Sequence, residues 1–205
     1  LLVNMAKPVM LVGSAGCGKT QLVKGLLGSL NVETMTYTNI NFNYYTSAIA
    51  LQNILEASLE KKTGTNFAPP GTRKLIYFLD DINLPMVDVY NTQDAIALVR
   101  QHIDYGHWFD RVKLSMKNIN KTQYLSCMNQ TAGSFIINPR LQRHFITFAI
   151  GFPGPTSLLT IYQTFLDGHL QHFNEDIKGL SSNLINGALG LHAAVVGKFR
   201  KTAAN

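Results

Sequence analysis

The feature that most constrains this chain is the segment GSAGCGKT at residues 13–20, which fits the pattern G-x-x-x-x-G-K-[ST] in full. A short apolar run, PVMLVG, precedes it and predicts a buried strand. After it, apolar residues recur at helical spacing: Leu22, Val23, Leu26, Leu27 and Leu30. A strand, a glycine-rich loop and a helix in this order are typical of a phosphate-binding loop. The segment therefore predicts an α/β fold that carries a nucleotide site.

The residues of this loop have separate predicted roles. Lys19 is expected to reach the β and γ phosphates, and Thr20 to supply a hydroxyl to Mg²⁺. The Cys17 side chain takes no part in this contact, and we expect it to pack rather than to act in redox chemistry. Backbone N–H groups bind the phosphate oxygens with help from the positive end of the helix; the loop residues that supply them precede Lys19 and are Gly13, Ser14, Ala15, Gly16, Cys17 and Gly18.

Two adjacent carboxylates, Asp80 and Asp81, follow the apolar run LIYFL. Ligands bind at the carboxyl ends of strands in α/β sheets, so Asp80 is predicted to hold Mg²⁺ jointly with Thr20. Asp81 stands where ATPases that hydrolyse well usually have a glutamate, which orients or deprotonates the attacking water. Aspartate is one methylene shorter, by about 1.5 Å, and a displacement of about 1 Å can cost on the order of 10²-fold in rate. We expect tight binding with slow hydrolysis.

Three more polar residues are candidates for the same site. Asn129 ends the predicted fourth strand, where its amide could bind both water and the γ-phosphate, although a strand-ending asparagine is also a common turn residue. Arg140 and Arg143 precede the predicted fifth strand, and either could reach the γ-phosphate of a neighbouring module. The alternative is a pair of solvated arginines on a short helix. The sequence leaves both questions open.

The pattern of elements changes near residue 152. Up to that point apolar strands, predicted at 8–13, 33–42, 75–79, 123–129 and 145–150, alternate with amphipathic helices. One of these helices is predicted to be capped by Thr46 or Ser47 and to end near Lys61 and Lys62. Another is predicted from about Thr92 to Ile103. The segment NFAPPGTRK predicts a loop. This alternation predicts a mostly parallel sheet covered on both faces. After the linker GFPGP every segment predicts helix, so we expect domains at 1–152 and 153–205.

Composition excludes several classes of protein. With 46% hydrophobic and 15% charged residues among 205, the chain is expected to form a packed soluble fold. It has no apolar run of the roughly 20 residues that would cross a bilayer, and we expect no secretory signal. The net charge of +6 is spread along the chain, which argues against nucleic acid as a partner. Two cysteines without metal-ligand spacing favour a reducing, intracellular compartment.

Taken together, these motifs resemble those of the AAA+ ATPases, in which they correspond to Walker A, Walker B, sensor 1 and the arginine finger. The resemblance implies a sheet in the order 5-1-4-3-2, with Asn129 between the phosphate loop and the acids, followed by part of a small helical lid subdomain. Four segments narrow it to the third AAA+ module of axonemal dynein heavy chains: KLIYFLDDINLPMVDVYNTQ, LVRQHIDYGHWFDR, CMNQTAGSFIINPRLQRHF and FPGPTSLLTIYQTFL. Nearly the whole chain is covered.

The resemblance implies a regulatory role in a microtubule motor. In that family the module is one of six in a single-chain ring, and it binds ATP or ADP with Mg²⁺ while the first module drives most hydrolysis. Its implied partners are the neighbouring AAA+ modules of the same chain, with microtubules and the dynein intermediate and light chains contacted elsewhere. The implied location is the cytoplasm, the cytoskeleton and the axoneme of the cilium. The sensor 2 arginine and the full adenine pocket are expected to lie outside residues 1–205.

Two other functions compete with this one. The chain could be a self-sufficient, ring-forming AAA+ remodelling ATPase, or a scaffold that holds ADP structurally and no longer cycles. Because each arginine finger serves a neighbour, we expect the isolated chain to be a poor ATPase in either enzymatic case.

Overall fold

The computed structural model describes residues 2–129 and 136–199. The chain forms two compact units, one up to Phe152 and one from Pro153 onward. The elements of the first unit are, in chain order, β1 (Val9–Val12), α1 (Lys19–Gly28), β2 (Met35–Asn41), α2 (Ala48–Ala57), β3 (Glu60–Lys61), β4 (Asn66–Ala68), β5 (Lys74–Asp80), α3 (Asp94–Tyr105), β6 (His107–Phe109), β7 (Met116–Ile119), β8 (Thr122–Met128), α4 (Pro139–Gln142) and β9 (Ile146–Ala149).

The main sheet has five parallel strands in the order β2-β5-β8-β1-β9. Numbered one to five along the chain and read from the β9 edge, this order is 5-1-4-3-2, so the predicted topology is confirmed. Strand β1 lies between β8 and β9, and its Met10 is aligned with Ser126 on one side and Thr147 on the other. The carboxyl ends of all five strands therefore meet at one edge of the sheet, where the phosphate loop follows β1.

Strand β5 runs through the middle of the core. Its side chains alternate between two apolar clusters, with Leu75, Tyr77 and Leu79 in one and Ile76 and Phe78 in the other. All five are at most 1% exposed. A continuous apolar run is what a parallel strand covered on both faces requires, and each buried side chain of this size contributes about 1.5–3 kcal/mol. This burial fixes the position of the acidic residues at the end of the strand.

A second sheet, in the order β3-β4-β7-β6, was not predicted. Part of the predicted loop NFAPPGTRK is strand β4, and the predicted helix end near Lys61 and Lys62 is wrong, because α2 ends at Ala57 and Lys61 lies in β3. These strands have only two to four residues, too few to show a period in the sequence. Ser47, by contrast, caps α2 as predicted, since its Oγ accepts a hydrogen bond from Ala50 N–H at 3.3 Å.

Polar side chains hold this second sheet against α2. The indole Nε1 of Trp108, a fully buried residue, donates to Glu56 Oε1 at 2.8 Å. The Lys117 ammonium lies 2.8 Å from both Glu56 Oε2 and Asp110 Oδ2. Burial alone would raise the pKa of Glu56, but Lys117, Gln52 and Trp108 hold it below its usual value. The stability of this sheet therefore depends on long-range pairs rather than on local apolar patterning.

All the regular elements in the described part of the second unit are helices, which agrees with the helical pattern predicted after the linker. Its elements are α5 (Pro155–His169), a 3₁₀ turn (Leu170–His172), α6 (Glu175–Lys178) and α7 (Ser181–Lys198). Ser181 Oγ donates to Asp167 Oδ1 at 2.6 Å, and Leu170 and Ile185 are buried. Among the residues that the structure describes, no helix is long and apolar enough to cross a membrane.

His102 is a buried titratable group in the core of the first unit. Its Nδ1 lies 2.6 Å from the Tyr124 hydroxyl, and its ring packs edge-on against Trp108. Burial raises the pKa of Tyr124 well above its ordinary value, so the phenol keeps its proton and donates it to Nδ1. Burial lowers the pKa of His102 to about 4, although a backbone hydrogen bond to Ile119 acts in the opposite direction. The imidazole is therefore neutral in the folded protein near pH 7.

We predict that this histidine makes the fold sensitive to acid. A group whose pKa is depressed on folding stabilises the native state above its unfolded pKa of about 6.5, and that contribution is lost as the pH falls toward the folded value. The free energy of unfolding should be about 2 kcal/mol lower at pH 5 than at pH 7 for this group alone. Urea denaturation at both pH values measures it.

The matched control is His102→Gln, whose amide can accept from Tyr124 and donate to the Ile119 carbonyl without titrating. In this variant the difference in the free energy of unfolding between pH 7 and pH 5 should be about 2 kcal/mol smaller than in the unmodified chain. An unchanged difference would show that other groups cause the acid sensitivity.

Candidate functional site

The backbone of the phosphate loop has the shape that only its glycines allow. Gly18, at the N-cap of α1, has φ of 89°, in the left-handed region that glycine adopts without strain. Gly13 lies so close to the end of β9 that a Cβ atom would stand 2.3 Å from the Ile150 carbonyl oxygen. Its N–H donates to the Met128 carbonyl oxygen at 3.2 Å. The loop is thus anchored between the ends of β8 and β9.

Lys19 lies inside this loop. Its ammonium group donates to the carbonyl oxygens of Gly13 at 2.9 Å and Ser14 at 2.8 Å, and the side chain is only 7% exposed. The Cys17 thiol, also buried, is 3.6 Å from the same nitrogen. Among the described residues this nitrogen is held by carbonyl oxygens and has no carboxylate within ion-pair distance, which leaves the cation available to a polyphosphate ligand. The phosphate contact of Lys19 stays a prediction.

Thr20 and Asp80 come together from residues 60 positions apart in the chain. The Thr20 hydroxyl donates to Asp80 Oδ2 at 2.9 Å, and Oδ1 is 3.2 Å away. Magnesium is usually bound by one or two protein oxygens together with substrate phosphates and water rather than by a cage of side chains. Among the described residues no group of three or more His, Cys, Asp or Glu side chains could hold a metal ion. The hydroxyl and carboxylate fit Mg²⁺ of this kind.

Asp81 has a backbone conformation that the sequence did not predict. Its φ is 54°, in the left-handed region, which aspartate tolerates better than most residues other than glycine. Burial and the neighbouring carboxylate of Asp80 raise the pKa of Asp81, whereas Lys19 lowers it. The three charged groups therefore act on one another in a single site. A raised pKa makes the carboxylate a stronger base toward water.

Asn129 follows β8 and is half-buried. Its carbonyl oxygen accepts a hydrogen bond of 2.8 Å from the side-chain amide of Asn83, a residue that the sequence reading missed. The signal for Asn83 was available, because it is a polar residue between Ile82 and Leu84, two positions after the paired acids. Residues 130–135, which lead from Asn129 toward the arginines, lie outside the described residues.

The two candidate arginines lie on the surface near α4. Arg143 is 64% exposed in its side chain, and its Nη2 is 3.3 Å from Asp104 Oδ1, which also lies 2.7 Å from His144 Nε2. Arg140 is exposed, and no hydrogen bond or ion pair of its side chain occurs within residues 2–129 and 136–199. In the same ranges neither arginine is bonded to the phosphate loop or to the paired acids. The structure does not bring them into this chain's own site.

Comparison with known proteins connects this site with a family. Residues 1–153 match the family described as "P-loop containing dynein motor region". The chain is 56% identical over 206 residues to the flagellar outer arm dynein alpha chain of Chlamydomonas reinhardtii. This match covers 100% of this chain and 5% of that protein. It is 51% identical to a ciliary dynein beta chain of Tripneustes gratilla (99% of this chain, 5% of the relative) and 50% identical to human dynein axonemal heavy chain 9 (98% and 4%). It spans about a twentieth of the length of these relatives.

We predict that nucleotide binding depends on Lys19. A nucleotide with Mg²⁺ at 100 times its Kd should raise the free energy of unfolding of the unmodified chain by roughly 2.7 kcal/mol. Lys19→Ala should remove most of that rise, because the phosphates lose their buried cation. Thermal unfolding with and without ATP or ADP measures the change.

The control is Lys24→Ala, which removes an exposed lysine from the same helix and should leave the rise intact. A full rise in the Lys19→Ala variant would contradict the assignment of this loop.

Proposed function

This chain belongs to the family of P-loop containing dynein motor regions, and we propose that it is the third AAA+ module of an axonemal dynein heavy chain. It binds ATP or ADP with Mg²⁺, hydrolyses ATP slowly, and regulates a microtubule-based ciliary motor. Its direct partners are the neighbouring modules of the same heavy chain. Microtubules and the intermediate and light chains are contacted by other parts of that motor, which works in the axoneme of the cilium. The axonemal location extends to this chain what the names of its relatives say of them.

The observation that carries the proposal is the contrast between the two aspartates at the end of β5. Asp80 is hydrogen-bonded to Thr20, so the two groups that would hold Mg²⁺ lie side by side. Asp81 offers a shorter side chain than the usual glutamate, from a backbone in the left-handed region. The parts that bind the phosphates and Mg²⁺ are present, while the side chain that activates water is short. We expect a site built in this way to bind nucleotide tightly and to hydrolyse ATP slowly.

When it is bound, the Mg²⁺–nucleotide supplies the electrophilic phosphorus and the metal that neutralises charge on its oxygens. This chain's own residues then have distinct tasks. Lys19 and the loop amides bind the phosphates, and Thr20 and Asp80 would hold the metal. Asp81 would accept the proton of the attacking water, and the Asn129 amide would orient that water and contact the γ-phosphate. Slow hydrolysis follows if the Asp81 carboxylate stands too far from the water.

An arginine of this chain is proposed to act on the neighbouring module rather than here. Arg143 is partly engaged by Asp104, whereas the side chain of Arg140 is free among the described residues. We therefore assign the finger to Arg140 and a supporting role to Arg143. An arginine supplied from a neighbour can be worth about 10³–10⁵ in rate. By the same logic, this site receives its own arginine from a neighbouring module and hydrolyses poorly without it.

A self-sufficient ring-forming ATPase is the alternative. Its subunits would assemble with ATP, whereas a module of one long chain remains monomeric in gel filtration. The great length of the relatives favours the second case. A scaffold that keeps ADP permanently would differ from both, because its nucleotide would not exchange.

The proposal predicts that Asp81→Glu accelerates hydrolysis at this site. The longer side chain should advance the carboxylate by about 1.5 Å and raise the single-turnover rate about 10-fold or more, within the 10² that a displacement of this size can cost. The measurement requires the full-length motor, so that the neighbour's arginine is present. Because glutamate tolerates the left-handed backbone less well, we also expect the free energy of unfolding to fall by about 1 kcal/mol or less.

Asp81→Asn serves as the control, since it keeps the length and the tolerance of a left-handed backbone but removes the basic oxygen. It should bind ATP normally and gain no rate. A rate for Asp81→Glu equal to that of the unmodified motor would refute the proposal that side-chain length limits hydrolysis.

A further inference from the structure

Asn83 is a buried polar residue outside the set of predicted site residues. Its side chain is 1% exposed, and its Nδ2 donates to the Asn129 carbonyl oxygen at 2.8 Å. This bond fixes the orientation of the amide, because the reverse orientation would place Oδ1 against another oxygen. Among the described residues no donor reaches Oδ1. An amide with one unpaired buried atom costs about 1–3 kcal/mol, so an apolar side chain would serve packing better.

Asn83 belongs to a tight turn that begins at Asp81. The Leu84 N–H closes the turn on the Asp81 carbonyl oxygen at 3.0 Å. Inside the turn, Ile82 is fully buried and its N–H donates to the Cys127 carbonyl oxygen at 3.2 Å. The turn is therefore tied to β8 through the backbone of Ile82 and to the residue after β8 through the side chain of Asn83. These ties hold Asp81 in its left-handed conformation.

Gln93 secures the same turn from the opposite side. It precedes α3, is 6% exposed, and its Nε2 donates to the carbonyl oxygens of Pro85 at 2.6 Å and Asn83 at 3.3 Å. The backbone of Asn83 is thus held by Gln93 while its side chain holds Asn129. A shift of either neighbour is transmitted through a residue that has no room to absorb it.

We propose that Asn83 is a positioning residue that fixes the separation of Asp81 and Asn129 and so lets the site distinguish ATP from ADP. This inference rests on the function proposed above, in which Asn129 contacts the γ-phosphate. In this role Asn83 acts through its hydrogen bond to Asn129 rather than by contact with the nucleotide. It keeps the sensing amide and the water-activating carboxylate in one rigid unit, so that the γ-phosphate meets both groups at once. ADP, which lacks that phosphate, would be bound by the loop, by Lys19 and through its Mg²⁺ by Thr20 and Asp80, without Asp81 and Asn129.

Equilibrium binding of ATP and ADP, each with Mg²⁺, tests the inference in the full-length chain with an Asn83→Ala substitution. The expected result is a loss of about tenfold in the preference for ATP over ADP, which corresponds to one hydrogen bond. The Kd for ADP should change by less than about threefold. Equal weakening of both nucleotides, or no change in either, would overturn the inference, because a purely structural residue cannot act on one nucleotide alone.

The matched control is Gln52→Ala, which removes a different buried amide. Gln52 is 4% exposed, and its Nε2 donates to Glu56 Oε1 and to the Phe109 carbonyl oxygen, both at 2.8 Å. This variant should lower thermal stability and leave the preference for ATP unchanged. A preference lost to the same extent in the control would attribute the effect to general destabilisation and overturn the role of Asn83.

Gln93→Ala keeps the inference testable if Asn83→Ala does not fold, because it loosens the same turn without exposing the Asn129 carbonyl. A smaller loss of preference in the same direction is expected, and an unchanged preference would contradict the inference. Nucleotide binding by the unmodified chain distinguishes failure of the proposed function from failure of the role of Asn83. If it binds neither nucleotide, the proposed function fails as well; if it prefers ATP and Asn83→Ala retains that preference, only the role of Asn83 fails.

Discussion

The hydrogen bond between the Thr20 hydroxyl and Asp80 is the contact on which the rest of the site depends. It joins the first turn of α1 to the end of the most buried strand, so the phosphate loop and the acids meet at the edge of one sheet. Parallel order makes this meeting possible, because it brings the carboxyl ends of β1, β5 and β8 side by side. Lys19, Asp81 and Asn129 then take their positions around this contact.

Much of the fold could be predicted from the sequence because its signals are local. The loop motif between a strand and a helix, and the apolar run of β5 with acids at its end, specify a parallel α/β sheet by their order alone. The order of the five strands came from resemblance to a family, since no local pattern determines which strands are neighbours. The second sheet was missed because its strands are short and are held by Trp108, Glu56 and Lys117, which are far apart in sequence.

At the site, the sequence identified the groups but not their geometry. Nothing in the letters DD indicates that Asp81 has a left-handed backbone, because tertiary ties at Ile82 and Asn83 impose that conformation. This conformation gives a second reason for an aspartate at position 81. Aspartate is both shorter than glutamate and better tolerated at positive φ, so slow chemistry and an unstrained turn favour the same residue. Asn83 was not predicted for a related reason, because its role depends on a hydrogen bond to Asn129, which is distant in the sequence.

The most direct measurement follows radiolabelled ATP at this site alone. In a full-length heavy chain whose other phosphate-loop lysines are substituted, ATP and Mg²⁺ are mixed with excess protein, and the reaction is quenched in acid at intervals. Tight binding with conversion to ADP slower than about 0.1 s⁻¹, some 100 times below a typical enzymatic rate of about 10 s⁻¹, is the predicted result. Conversion near 10 s⁻¹, or no retained nucleotide, would contradict the assignment of a slow, nucleotide-holding module.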